Sequence, residues 1–337
     1  MKDSVKNSVK NIVKVRNIIQ ASFIILLLYM GWRFYQFIRY FETGGATEFI
    51  TRPPGVEGFL PISALLGLKQ LLEVKVFDPI HPAALVLLLN IILISFLFKK
   101  GFCSWICPIG TISEAFGKLG EKIFGRTFEL PNIIDWFLML PKYIILAFFV
   151  KTIFLDMSIM AVINFMQSPY NLIADVKMLY FFLDLSPLAI KVLIFLSVAS
   201  ILIKNFWCRY LCPYGALLGI VSVFSPVKVT RNEDRCIDCG KCTKVCPNQI
   251  QVHEKEQVVS PECDACLNCI SNCPYSEDAL SLSIYKKKTL SLIKYSILLI
   301  GVFIAIIMIA KITGYWETKI GIEVYKELIP KAEYLNH

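Results

Sequence analysis

Residues 102–110 read FCSWICPIG and residues 207–215 read WCRYLCPYG. The shared phrase is aromatic-C-x-aromatic-aliphatic-C-P-x-G; it returns after 105 residues, and each copy closes a long apolar run. Those runs set the class of the protein. The 337 residues are 56% hydrophobic with a mean hydropathy of +0.60, and the apolar residues come in blocks. Blocks of about 18–22 apolar residues cross a hydrocarbon core ~30 Å thick as helices. Five spans are expected, near 17–38, 82–99, 136–154, 185–205 and 291–311. The chain reads as a mainly α membrane protein in contact with lipid.

The net charge of +9 is that of a membrane protein with basic cytoplasmic loops. No basic stretch interleaved with aromatics lies on a soluble segment, which argues against a nucleic-acid partner. Lys2, Lys6, Lys10, Lys14 and Arg16 precede span one, and Lys99, Lys100, Lys118, Lys122 and Arg126 follow span two. Lys204, Arg209, Lys228, Arg231 and Arg235 follow span four, and Lys286 to Lys288 precede span five. With five spans all four regions fall on one side, the cytoplasm, and the tail 315–337 falls outside. The first apolar run lacks a small-residue cleavage site and reads as a retained helix. Trp32, Trp105, Trp136, Trp207 and Trp316 lie near span ends, as interfacial anchors do, and Arg33 and Arg39 read the same way.

The outward segments 57–77 and 157–183 are apolar but broken by proline, glycine and charge, which suits interfacial or re-entrant helices. They also match each other at an offset of 108, through Pro61/Pro169, Leu65/Ile173, Leu68/Val176, Lys69/Lys177 and Leu71/Leu179. The layout is therefore a parallel internal duplication. Repeat one is 1–128 and repeat two is 129–227, each with two spans, an interfacial helix and a CxxxCP motif. A small α+β two-cluster ferredoxin domain follows at 228–284, then a fifth span and an outer tail at 285–337.

All 12 cysteines fall in four short motifs, so the chain is no disulfide scaffold. Residues 236–247 read CIDCGKCTKVCP and 263–274 read CDACLNCISNCP. Each is the C-x2-C-x2-C-x3-C-P run of two-cluster ferredoxins, in which the fourth cysteine serves the other cluster. Cys236, Cys239, Cys242 and Cys273 are expected to hold one [4Fe–4S] cluster, and Cys263, Cys266, Cys269 and Cys246 the second. A pair of zinc sites is the alternative, disfavoured by eight cysteines in two identical runs. A domain this small has little core, so its metal supplies part of the folding free energy.

The CxxxCP pairs are less determined. Cys103 and Cys107 are four apart, on one face if the helix continues, and Pro108 and Pro213 then end or kink it. Three readings compete for Cys103, Cys107, Cys208 and Cys212: inert packing, a switchable dithiol, or a third metal site shared across the repeats. The three histidines are His81, His253 and His337. A transmembrane di-haem site needs histidine pairs inside spans, so haem is not expected. His81 and Asp78, in FDPIHPAAL, are candidates for taking a proton from a quinol, or a polar helix start. Lys69 and Lys177 are candidates for a quinone carbonyl, or snorkelling side chains.

The doubled CxxxCP with CPYGALLG, followed by the two ferredoxin runs, resembles the NapH-type membrane polyferredoxins. NosR-type and CcoG-type proteins share the module. RPPGVEGFLPISALLGLK and DPIHPAALV are most similar to the YccM-like branch. The resemblance covers about 15–315 and implies a prokaryotic inner-membrane electron carrier with cytoplasmic [4Fe–4S] clusters, exchanging electrons between the quinone pool and a redox partner protein. The alternative it leaves open is a maturation factor that reduces a metal or cofactor for another respiratory enzyme. A redox sensor without turnover is the third reading.

Overall fold

The computed structural model describes residues 2–125, 128, 130–275, 278–285 and 288–335. Arg126, Lys286, Lys287 and His337 lie outside the described residues, as do the side chains of Lys2, Lys6 and Lys10. The helices are α1 (Lys2–Glu42), α2 (Pro61–Val74), α3 (Pro82–Phe98), α4 (Gly101–Trp105), α5 (Pro108–Phe124), α6 (Asn132–Val150), α7 (Ile159–Met166), α8 (Pro169–Leu172), α9 (Ala174–Leu183), α10 (Pro187–Leu202) and α11 (Pro213–Val223). The antiparallel strands β1 (Val227–Arg231), β2 (Leu280–Ile284) and β3 (Lys288–Thr289) follow in the order β1-β2-β3, with Val229 opposite Leu282. Within and after the sheet come α12 (Lys241–Lys244), α13 (Asn268–Ser271), α14 (Leu292–Ile312) and α15 (Ile322–Leu328).

Among the described residues, three helical segments are long and apolar enough to cross a membrane: 11–42 of α1, 133–156 from α6 into a π-helical turn, and α14. A fourth arises if α9 and α10, bent by 77°, count as one span. The apolar α3 has 17 residues, which at 1.5 Å per residue is about 25 Å.

Among the described residues, helices α2, α3, α5, α8, α10 and α11 open on proline. Proline fits the first helical turn because its missing N–H would be unpaired there anyway. Pro108 and Pro213 thus start helices, where the sequence led us to expect an end. The chain breaks at Ile106 (φ −121°), and Cys107 caps α5 in extended conformation. Cys212 caps α11 in the same way, its Sγ accepting from Gly215 N at 3.3 Å. Cys103 and Cys107 therefore sit on separate helical segments.

The chain forms two compact units. Unit one is Met1–Ile24, Ile91–Leu146 and Lys191–Phe303; unit two is Ile25–Asn90, Ala147–Ile190 and Ile304–His337. Each takes residues from both halves of the sequence. In unit one, Trp105 is fully buried beside Tyr295, with ring centroids 5.8 Å apart. Trp105 is thus a core residue, unlike the exposed Trp32 and Trp136. Arg16, Lys99 and Lys100 are likewise buried in unit one, although the sequence counts them as loop charges. In unit two, Phe34, Phe37, Ile38 and Phe41 of α1 pack with Val56, Ile173, Val176 and Tyr325. A second cluster joins Leu66, Ile80, Ile153, Val162 and Met166. Trp316 is buried there with Ala83, Val86 and Ala310.

The last glycine of the repeated phrase is required by close approach. A Cβ on Gly110 would sit 2.0 Å from Cys103 O, and on Gly215 3.0 Å from Cys208 O. The first distance is impossible without moving backbone; the second is at the edge of tolerance. Gly110→Ala should sharply reduce the yield of monodisperse protein in detergent size-exclusion chromatography, and Gly215→Ala should reduce it less. Equal wild-type yields for both would refute the close approach.

Candidate functional site

The two ferredoxin loops repeat each other in backbone as well as sequence. Asp238 and Gly240 adopt left-handed φ of 47° and 65°, and Ala265 and Leu267 adopt 50° and 64°. Three of these are not glycine, and that conformation costs about 1–2 kcal/mol per residue. Such residues concentrate where a loop's shape serves a ligand. Cys236, Cys239, Cys242 and Cys273 line one cavity of about 400 Å³ with Arg231, Gly240 and His253. Cys246, Cys263, Cys266 and Cys269 line a second of about 350 Å³ with Val229, Ile250 and Leu267. The chain thus brings the eight cysteines together in two groups of four, each with one cysteine from the other motif. Among the described residues no three Cys, His, Asp or Glu side chains converge on a single-ion site. Four thiols around one cavity suit a four-iron cubane, which takes one thiolate at each iron.

The CxxxCP motifs meet the second of these loops. Ser104, between Cys103 and Cys107, donates through Oγ to Asp264 O at 2.6 Å. Trp105 Nε1 donates to Ala265 O at 3.1 Å. Arg209, the counterpart of Ser104 in the other copy, donates through Nη1 to Asn248 O. Arg16 adds a bond from Nη1 to Cys266 O at 2.6 Å. The variable positions inside both phrases therefore grip the loops carrying Cys246, Cys263 and Cys266. Cys103, Cys107, Cys208 and Cys212 lie within electrostatic reach of one another, with Lys100 near Cys103 and Cys208. Burial pushes Cys107 up to about 11 and Cys103 and Cys208 well above the usual thiol range.

A buried ionic network surrounds this contact. Lys142 Nζ donates to Glu262 Oε1 at 2.6 Å, and Lys100 Nζ lies 3.7 Å from Glu262 Oε2. Burial alone would raise Glu262, but Lys100 and Lys142 outweigh it and hold the carboxyl below the usual range. Arg209 pairs with Asp135 through Nε at 2.9 Å and through Nη2, and Tyr210 OH donates to Asp135 at 2.5 Å. Sequence reading missed Asp135, Lys142 and Glu262. The available signal was Lys142 inside an expected span, since an ionisable group there is rarely idle.

In unit two the candidate residues separate. Lys69 Nζ donates to Ile153 O at 3.0 Å and to Phe154 and Met157 carbonyls, the free C-terminal acceptors of the π-helical turn Lys151–Asp156. Lys177 Nζ donates to Ala332 O at 2.5 Å. Both lysines thus donate to backbone carbonyls, and Lys69 Nζ also lies 3.5 Å from Glu73 Oε1. His81 and Asp78 are fully buried, and burial raises the Asp78 carboxyl. Glu57 and Asp175, which the sequence reading did not single out, face His81, and Arg52 pairs with both carboxylates.

Removing one member of a buried ion pair costs about 3–5 kcal/mol, because the partner's charge stays behind unpaired. Glu262→Gln strands Lys142 and Lys100, and the thermal midpoint for loss of iron–sulfur absorbance in detergent should fall by on the order of 10 °C. An unchanged midpoint would show that water reaches this network.

A family model described as a 4Fe-4S binding domain matches residues 80–127 and again 185–232. A second, described as a 4Fe-4S dicluster domain, matches 228–274. YccM of Escherichia coli K12, whose name gives it as a candidate electron transport protein, is 42% identical over 98% of this chain and 94% of its own length. The ferredoxin-type protein NapH of the same organism is 25% identical over 60% of this chain and 70% of its own. The regulatory protein NosR of Stutzerimonas stutzeri is 28% identical over half of this chain and 22% of its own. No solved structure matches. The doubled CxxxCP segment, the two four-cysteine cavities and the full-length relative together place the chain in the NapH-type family of membrane polyferredoxins, iron–sulfur electron-transport proteins, within the YccM-like branch.

Proposed function

We propose that the protein is an electron-transfer component that links the quinol pool to a redox partner protein. The observation that carries this reading is the contact of both CxxxCP motifs with the loops of one four-cysteine cavity, through Ser104, Trp105 and Arg209. Cys236, Cys239, Cys242 and Cys273 hold one [4Fe–4S] cluster, and Cys263, Cys266, Cys269 and Cys246 hold the second. Each cluster, when bound, takes up and releases one electron at a potential set by its surroundings. Cys103, Cys107, Cys208 and Cys212 form a third redox centre. Their burial with Lys100, and the match of a 4Fe-4S binding model across both segments, favour iron–sulfur over a simple dithiol.

The same reading includes an internal duplication with five spans. It is supported by the repeated model match at an offset of 105 and by the proline-opened helix pairs at Pro61/Pro169, Pro82/Pro187 and Pro108/Pro213. Ser63 Oγ also donates to Asn171 Oδ1 at 3.0 Å across 108 residues, the offset of the outward segments, as positions at a repeat axis would. The Lys and Arg distribution puts the N-terminus and ferredoxin domain in the cytoplasm and the C-terminal tail in the periplasm of the inner membrane.

Anaerobic EPR and iron analysis of the detergent-purified protein test the proposal. About eight irons per chain are expected from the ferredoxin loops, and more if the third centre holds iron. Menadiol should reduce the clusters in wild type and reduce them far more slowly in Cys103→Ser/Cys208→Ser, while dithionite reduces both. Wild-type clusters that ignore menadiol would sink the quinol link and point to a maturation role.

A further inference from the structure

The buried cations of unit one are neutralised by carboxylates, with one exception. Arg16 has Glu114, Arg209 has Asp135, and Lys100 and Lys142 share Glu262. Lys99 is 1% exposed, and its ammonium donates to a carbonyl, Ser260 O, at 3.1 Å. Among the described residues no carboxylate pairs with it. The charges within its reach are the Cys263 thiol and two more cations, Lys100 and Lys228. The backbone of Lys99 is also unusual: φ is 59°, in the left-handed region, and its N–H donates to Ser225 Oγ at 3.0 Å. A side chain makes that conformation unfavourable, and such residues concentrate at functional sites.

A dry interior tolerates a charge only when an opposite charge is close. For Lys99 that charge is supplied by the thiolates of the second cavity. Ser260, which holds the ammonium, lies three residues before Cys263 on the same loop. An iron–sulfur cluster with four thiolates is an anion, and its reduction adds one more negative charge. The first cavity is arranged differently. Arg231, which faces Cys236, is also bonded to Glu233 at 2.8 Å and to Asp238 at 3.0 Å. Those carboxylates are 67% and 72% exposed, and Cys239 beside them is exposed, whereas Cys266 of the second cavity is buried. Water and two carboxylates therefore screen the charge of Arg231, and neither screens Lys99.

We propose that Lys99 is the counter-ion of the iron–sulfur centre held by Cys246, Cys263, Cys266 and Cys269, and that it raises the reduction potential of that centre. Burial works the other way, because a dry site resists the added negative charge of the reduced centre. The ammonium offsets that resistance, so the buried centre takes its one electron from a milder reductant. That the reductant is a quinol rests on the function proposed above. Lys99 is neither a ligand nor a proton donor in this role. It is held at Ser260 O and acts through its charge alone.

An EPR-monitored redox titration of the full-length protein in detergent, with dithionite and mediators, tests this without any quinol. Cys239→Ser assigns the signals, since Cys239 belongs to the first cavity. Lys99→Met should lower the midpoint of the second centre by about 59 mV or more, a tenfold change in its one-electron equilibrium. The first centre should move far less. Lys99→Arg keeps the charge and should bring the second midpoint back close to wild type, which a packing role would not do. A second midpoint that is the same in Lys99→Met and wild type overturns the proposal. An equal fall in Lys99→Met and Lys99→Arg also overturns it, because side-chain shape would then be responsible. Should Lys99→Met fail to assemble the second centre, the iron content of Lys99→Arg decides. Wild-type iron there shows that the centre needs the charge, and iron lost as in Lys99→Met overturns the proposal. Wild-type clusters that ignore menadiol, with the midpoint shift present, sink the quinol link and leave the counter-ion standing.

Discussion

The contact on which unit one depends is a set of donors offered by the CxxxCP motifs to ferredoxin carbonyls. Ser104, Trp105 and Arg209 supply an O–H, an indole N–H and a guanidinium to Asp264, Ala265 and Asn248. Each acceptor lies within two residues of Cys246, Cys263 or Cys266. A loop of left-handed residues such as Ala265 and Leu267 is held in shape by whatever occupies its open acceptors. Here the occupants are the side chains between the paired cysteines. This explains why the two copies of the phrase keep their cysteines and glycine but differ at the intervening positions: the carbonyls they reach are different.

Burial of charge is the second constraint, and both units answer it by neutralising in groups. In unit one, Lys100 and Lys142 share Glu262, and Arg209 shares Asp135 with Tyr210. In unit two, Arg52 bridges Glu57 and Asp175. An unpaired ion in such surroundings costs several kcal/mol, so these residues are bound to their partners as firmly as any apolar core. The difference lies in the balance. The unit-one carboxylates Glu262 and Asp135 each have cations of their own, whereas Glu57 and Asp175 share the single guanidinium of Arg52.

Much of this was legible in the sequence. The grouping of the eight ferredoxin cysteines into two cavities with the fourth cysteine exchanged, the apolar blocks and the strands and short helices of 228–284 all follow from local spacing, because a cysteine run and a hydrophobic block are each contained in a short window. The proline signal was legible but misassigned: Pro108 and Pro213 were expected to end helices and instead begin them. Trp105, Arg16 and Lys100 were expected at the interface or in loops and are buried, since a residue's distance from a span end says nothing of what folds over it.

By itself, then, the sequence determined the chemistry: which thiols are available, at what spacing, and in a chain apolar enough for a membrane. Only the tertiary structure decided which of them meet and what surrounds them. The partners of Ser104, Lys142 and His81 lie between 90 and 160 residues away. No local period encodes contacts at that separation; they arise when helices pack and each buried polar atom has to find an opposite number or a proton.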